Sequence, residues 1–344
     1  MVMAQALFKL IRQQRPHALI DVLAPEWSRP LLQRVPEINR TWSMPIGHGQ
    51  LGLLTRYRLG KKLKQEKYQQ AIVLPNSFKS ALIPFFANIP QRTGWLGEMR
   101  YGLLNDIRTL NKTQLPLMVQ RFMALGLDKS ERLPAEIPHP ALQASPHSMQ
   151  FTLSDMNIVR NEQAILALCP GAEFGPAKRW PASYYAHIAE EKLKLGWNVW
   201  IFGSAKDRAV AFEIQQAVSS ACVDFTGQTT LAQAIDLLSQ ATVVVSNDSG
   251  LMHIAAALDR PLIVMYGSSD PRFTPPLSKK VKILSLGLSC SPCFQRECSL
   301  KDNDHLRCLN ELKPETVLKA INEIVVNNSI HNNTIDHVIV ESHE

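Results

Sequence analysis

The stretch Ala241-Thr-Val-Val-Val-Ser-Asn-Asp-Ser-Gly-Leu-Met-His-Ile-Ala-Ala-Ala257 decides the fold class. Its β-branched apolar run suits a buried strand, and its alanine-rich end suits a helix. Between them lies the short polar turn Asp248-Ser249-Gly250. Backbone N–H groups at a helix start are unpaired and carry partial positive charge, so the junction suits a phosphate. Asp248 or Ser249 can cap the helix, and Gly250 lets a ligand approach the backbone. His253 lies about one turn in and can face the same crevice. The plain alternative is a capped core helix with no ligand.

Similar junctions flank this one. Ala164–Cys169, Trp197–Phe202 and Pro261–Tyr266 read as strands, with helices over Pro181–Leu195 and from near Lys206. Strands alternating with helices predict a parallel sheet with right-handed crossovers and ligands at the carboxyl ends of the strands. The first of these ends carries Glu173, Lys178 and Arg179 just before a helix that opens at Pro181. Lys178 there can neutralise a pyrophosphate, or the Lys-Arg pair can be solvated surface. The second offers Gly203, Ser204, Lys206 and Asp207, whose carboxylate can accept from ribose hydroxyls or cap a helix. Gly227-Gln228-Thr229-Thr230 reads as an N-cap for Leu231–Leu238. Gly267-Ser268-Ser269 closes the series.

The first half is less regular. Leu7, Phe8, Leu10 and Ile11 make a helical stripe that Pro16 ends, and Ala18–Ala24 and Ala71–Leu74 read as strands. Arg56, Arg58, Lys61, Lys62, Lys64 and Lys67 cluster, and Lys79, Arg92, Arg100 and Arg108 follow among Gly, Trp95 and Tyr101. That is either a solvated helix face or a surface for an anionic acceptor. A polar, weakly periodic stretch over 141–161 predicts an interdomain connection, giving domains 1–158 and 159–327 and a polar tail 328–344. Pro314–Val326 reads as a helix that packs back on the first domain.

The 344 residues, 45% hydrophobic, suffice for two cored domains. A net charge of +7 points to an anionic substrate or surface. Nucleic acid is not expected as a partner, because no nucleic-acid module is present. No apolar run approaches the ~20 residues of a membrane span, and no secretion signal is read, so the expected compartment is the cytoplasm with reduced thiols. Cys290, Cys293, Cys298 and Cys308 follow C-x2-C-x4-C-x9-C. Only the first pair has zinc-like spacing, so free thiols are expected ahead of a structural metal, and Asp302-Asn303-Asp304 reads as solvated loop. No cofactor is expected. A nicotinamide dehydrogenase would want G-x-G-x-x-G after a strand, and these junctions lack it.

Cys-Pro-Gly-Ala-Glu-Phe-Gly-Pro-Ala-Lys-Arg-Trp-Pro (169–181) and Ser-Asn-Asp-Ser-Gly-Leu-Met-His (246–253) closely resemble the ADP-heptose:lipopolysaccharide heptosyltransferases. Leu-Pro-Asn-Ser-Phe-Lys-Ser-Ala (74–81) and the stretch from Arg92 to Asp106 resemble the heptosyltransferase II branch of that family. The resemblance runs from residue 1 to about 326. It implies the GT-B fold, two Rossmann-like domains facing a central cleft. It also implies ADP-L-glycero-D-manno-heptose on the C-terminal domain and a lipid A–Kdo–heptose acceptor on the N-terminal one. On that resemblance Lys178 stabilises the donor phosphates, and Asp248, Ser249 and Gly250 hold pyrophosphate and heptose with support from His253. Asp207, with Ser204, falls at the ribose, and Glu173 stands where relatives have a small hydroxyl residue. Asn76, Ser77, Lys79, Arg92, Trp95 and Arg100 become the acceptor-binding candidates. The implied chemistry is a metal-free single displacement with inversion, and the basic half implies transient contact with the anionic inner membrane face.

One departure stands out. The family opens with a strand and a glycine turn ending in an Asp, its proposed base, and then a helix. Here Met1-Val2-Met3-Ala4-Gln5 matches the start of that helix, and no acid precedes Asp21. The expectation is therefore an N-domain lacking its first strand and that Asp. A start codon placed too late accounts for this, the alternative being a truncated, inactive nucleotide-sugar-binding protein. Asp21 lies within a strand pattern and is read as structural.

Overall fold

The computed structural model describes residues 1–47, 49–158, 161–219 and 221–333. They fall into two units, Met1–His139 with Arg272–Thr274, and Pro140–Pro271 with the chain from Pro275. The division comes earlier than residue 158 because Pro146–Asp155 is a helix of the second unit. Ser145 Oγ caps it by accepting from Ser148 N at 3.3 Å, and Ser148 Oγ donates to Asp236 Oδ2 of the helix Leu231–Leu238 at 2.6 Å.

The second unit is built on six parallel strands: β6 (Ile165–Cys169), β7 (Asn198–Ile201), β8 (Val223–Asp224), β9 (Val243–Asn247), β10 (Leu262–Met265) and β11 (Val281–Leu284), numbered after five in the first unit. Their spatial order is β11-β10-β9-β6-β7-β8. Every residue of β6, β9 and β10 is buried, as expected of strands covered on both faces. The helices Ala182–Lys194 and Arg208–Ala217 pack on one face through Tyr185, Ile188, Ala211 and Ile214. The C-terminal helix, Pro314–Asn333, joins them through Val317, Ala320 and Ile321. Its apolar stripe completes the second unit's core, and Lys192 Nζ donates to Asn322 Oδ1 at 2.7 Å. The tail expected from 328 lies outside the described residues from 334 onward.

The first unit carries two separate parallel pieces, β1 (Asp21–Pro25) with β2 (Arg40–Met44), and β3 (Gln70–Val73), β4 (Gln91–Trp95) and β5 (Asp106–Arg108) in that order. Both pieces pack on one apolar cluster: Leu23, Trp42 and Met44 from the first and Ala71 from the second lie against Leu63, Ile83, Ala87 and Ile89. Tyr68 also ties them, its hydroxyl donating to Asp21 Oδ2 at 2.5 Å and accepting from Trp42 Nε1 at 2.8 Å. The sequential parallel order β3-β4-β5 repeats the order β9-β10-β11 of the second unit.

Candidate active site

In the second unit, β6 and β9 are neighbours from which the chain winds in opposite directions. Such a switch point leaves a crevice beyond the carboxyl ends of its strands. The turn after β9 and the loop after β6 meet there. Lys178 Nζ donates to Asp248 Oδ2 at 2.5 Å, with the two side chains 16% and 7% exposed, so the pair is held at the rim rather than solvated. Desolvation and mutual attraction work against each other in such a pair, and the ammonium keeps further donor protons for a second anion.

Asn247 fixes this geometry. Its Oδ1 accepts from Trp180 N at 3.1 Å and Tyr185 Oη at 3.0 Å, and its Nδ2 donates to Pro170 O at 2.6 Å. Both ends of the Lys178 loop are thus tied to β9. The helix Gly250–Ala257 follows with Ser249 at its N-cap position and no side-chain cap. That corrects the expected capping: Ser249 Oγ sits 3.2 Å from Ser246 Oγ, and Asp248 is engaged by Lys178. Gly250 is exposed, and a Cβ there would meet nothing within 4 Å, so the helix start faces open space. His253 is half-buried, and desolvation pushes its imidazole down to about 4 although Asp248 pulls the other way. It is neutral at physiological pH.

Asp207 lies beside Gly171 of the loop after β6, used as the capping alternative supposes. Its Oδ2 accepts from Ser204 N at 2.9 Å and Ser204 Oγ at 2.8 Å, and Arg179 Nη2 is 3.6 Å from Oδ1. A Cβ on Gly171 would lie 2.5 Å from the Asp207 carboxyl carbon, so a side chain there would displace the carboxylate from Ser204. Glu173 is exposed and pairs with Lys206 Nζ at 2.5 Å, which holds its carboxyl below the usual range. At the end of β10, Ser268 and Ser269 are buried, and neither hydroxyl has a partner among the described residues.

Sequence and structure comparisons decide the family. The family model for glycosyltransferase family 9 (heptosyltransferase) matches residues 56–303. Lipopolysaccharide heptosyltransferase 2 of Salmonella typhimurium is 50% identical over 295 residues, covering 83% of this chain and 84% of that protein. The chain belongs to glycosyltransferase family 9. The solved structure of Escherichia coli ADP-heptose LPS heptosyltransferase II superposes with a TM-score of 0.83 at 42% identity, covering 96% of both chains. An E. coli heptosyltransferase solved with ADP shares the fold at 18% identity, with a TM-score of 0.65 over 94% of this chain and 97% of that one. The architecture is the GT-B fold of these glycosyltransferases.

The remaining candidates of this heptosyltransferase lie in the first unit, and several are scaffold. Arg100 is fully buried: its guanidinium donates to Pro75 O at 2.7 Å, to Trp95 O and to Ser80 Oγ at 3.4 Å. Trp95 is buried with Nε1 on Arg121 O at 3.1 Å. Arg92 donates to Leu103 O at 2.6 Å and Ile89 O at 2.5 Å. These three correct the expectation of an open acceptor surface, because each places polar atoms on backbone carbonyls of its own unit. Arg56 leaves the expected basic surface for the same reason, donating to Leu51 O, Lys79 O and Gln50 O. Desolvation lowers the basicity of Arg56 and Arg100. Asn76 is exposed, Ser77 and Lys79 are half-buried, and all three stay at the end of β3. Asp21 accepts from Tyr68, Asn39 and Arg40, a structural role. Cys290, Cys293, Cys298 and Cys308 are free thiols, and no three His, Cys, Asp or Glu side chains among the described residues are placed to hold a metal ion.

Asn247 is the site residue that sequence reasoning missed. Its signal was a polar residue ending an apolar strand, and its partners lie 62 to 77 residues away.

Proposed function

We propose that this protein transfers L-glycero-D-manno-heptose from ADP-L-glycero-D-manno-heptose to the first heptose of the lipopolysaccharide inner core, inverting the anomeric centre. The observation that carries the donor half is the Lys178–Asp248 pair beside an uncapped helix start at the switch point. The heptosyltransferase II relatives, named for the same reaction class, supply the sugar and the acceptor.

In this reading the acceptor hydroxyl oxygen attacks the anomeric carbon as the bond to the ADP β-phosphate oxygen breaks. The hydroxyl proton passes to a general base, and Asp21, committed to Tyr68, Asn39 and Arg40, is not that base. The departing diphosphate gains negative charge. Lys178, steadied by Asp248, and the N–H groups from Gly250 onward are preorganised toward that charge, an arrangement that needs no metal. Ser249 and neutral His253 serve as hydrogen-bonding groups at the same turn. Asp207 and Ser204 border the ribose, with Glu173 at the rim. Asn76, Ser77 and Lys79 are the acceptor contacts, while Arg92, Trp95 and Arg100 hold their loops. The protein works in the cytoplasm and touches the anionic membrane face through the helix Leu53–Lys64. Arg58, Lys61, Lys62 and Lys64 are exposed there beside Leu53, Leu54 and Tyr57, and the attraction is screened by salt.

The test is transfer from ADP-heptose to a heptosylated Kdo2–lipid A acceptor, read by mass spectrometry. Wild-type protein should add one heptose, and Lys178→Ala should slow turnover by roughly 100- to 1,000-fold, the usual cost of one preorganised donor. Absence of transfer by the wild type rejects the function. Undiminished turnover by Lys178→Ala rejects the site.

A further inference from the structure

Phe174 holds two cations over one ring. Lys178 Nζ lies 5.0 Å from its centroid, and the guanidinium carbon of Arg296 lies 5.5 Å from it. The second comes from a distant part of the chain, the irregular segment after β11 that also carries the cysteines. That segment is anchored on two strand-end turns. Ala177 N donates to Arg296 O at 3.1 Å, Phe294 N donates to Ser268 O at 2.7 Å, and Ser291 Oγ donates to Gly267 O at 2.5 Å. The contact with the Lys178 loop is close: a Cβ on Gly175 would lie 2.4 Å from Arg296 O, so the two backbones meet only because residue 175 is glycine.

The charges around Lys178 make Arg296 informative. Asp248 offsets Lys178 at 2.5 Å, leaving the pair close to neutral. A diphosphate carries more than one negative charge and gains another as it leaves. Arg296 is exposed and has no ion-pair partner among the described residues, so its charge is uncompensated. A guanidinium matches phosphate oxygens bidentately, and stacking on an aromatic ring orients it without consuming its N–H groups.

We propose that Arg296 is a second phosphate-binding cation of the donor site, held over Phe174 beside Lys178 so that its guanidinium meets the diphosphate of the donor. This rests on the donor-site reading above and adds to it a residue from outside the strand-end motifs. Phe174 acts as the positioning residue, and Gly175 sets the distance.

The experiment compares ADP with adenosine by calorimetry on the full chain, using wild type, Arg296→Met, Arg296→Lys and Phe174→Leu, with thermal melts alongside. Arg296→Met should weaken ADP by roughly ten- to a hundredfold, the range for a lost hydrogen bond to a charged group, and adenosine by less than about twofold. Arg296→Lys should recover part of the loss, and Phe174→Leu should weaken ADP several-fold through misplacement. An unchanged ADP-to-adenosine ratio in Arg296→Met overturns the proposal, as does an equal loss for both ligands, which would mark Arg296 as structural. Wild-type protein that binds ADP no better than adenosine would instead overturn the donor-site reading itself.

Discussion

By strand order, the turn after β3 in the first unit corresponds to the turn after β9 in the second. The two are furnished in opposite ways. After β3, the cation is Arg100, fully buried, its two terminal nitrogens donating to Pro75 O, Trp95 O and Ser80 Oγ while Nε has no partner among the described residues. After β9, the cation is Lys178, delivered from a neighbouring loop to the rim, bonded once to Asp248 and facing a helix start with open space at Gly250. A buried cation whose terminal donors go to the protein's own loops acts as a staple, whereas a rim cation keeps donors that a ligand can meet. The same strand order therefore supports a scaffold in one unit and the proposed donor site in the other, and the difference lies in where the cation's hydrogen bonds end.

The largest effect should come from removing the two organising groups. Arg100→Leu strands Trp95 O in the first unit and leaves Pro75 O with Ser80 Oγ alone, and Asn247→Leu strands Trp180 N and Pro170 O in the second. Each substitution should cost about 1–3 kcal/mol in denaturant unfolding, since each leaves buried backbone polar groups unpaired. The comparison predicts different functional consequences. Asn247→Leu should weaken ADP binding because it frees the Lys178 loop, and Arg100→Leu should leave ADP binding unchanged. Loss of ADP binding in Arg100→Leu would break the distinction between staple and receptor.

A smaller effect separates the sheets. β6 and β9 are central and wholly buried, whereas β1 and β3 each have only one paired edge among the described residues. Edge strands open at lower free energy than central ones. Native-state hydrogen exchange should find the amides of β1 and β3 at least tenfold less protected than those of β6 and β9. Equal protection would mean that the two pieces of the first unit's sheet are bridged. Adding ADP should raise protection around β6 and β9 alone.

Sequence legibility divided along the same line. Strands β6, β7, β9 and β10 were readable because each is a short apolar run bounded by turn residues, and the loops at their ends put Lys178 and Asp248 on one edge. β2 was not: Arg40-Thr-Trp-Ser-Met44 carries its signal only in the alternation of Trp42 and Met44 within a basic, turn-rich stretch. β4, β5, β8 and β11 are short, or mixed in polarity, and gave no run to find. The arginines of the first unit were misread because an arginine that satisfies backbone carbonyls and one that awaits an anion look alike in sequence. Gly94 and Gly97 close by were the available clue, since both mark backbone crowded against its neighbours: a Cβ on Gly97 would lie 2.3 Å from Asn76 O.

The smallest predicted effect concerns His253, and it tests whether the open turn of the second unit is as dry as its burial implies. Desolvation holds the imidazole near 4, against Asp248, so the folded protein keeps it neutral while the unfolded chain takes up a proton near the ordinary value of about 6.5. Between those values the unfolded state binds more protons. The contribution to stability is therefore complete above about pH 6.5 and is lost as pH falls toward 4. A neutral ring also adds no charge to phosphate binding, so ADP affinity should be flat from pH 6.5 to 8. His253→Asn, which keeps a donor, should bind ADP within about twofold of wild type, whereas His253→Ala should lose a few-fold, the worth of one neutral hydrogen bond. A ring that titrates by NMR near 6.5, with ADP affinity rising as it protonates, would place His253 among the cations of the site. The contrast would then shift: two further cations, His253 and Arg296, would sharpen the receptor character of this turn against the sealed one after β3.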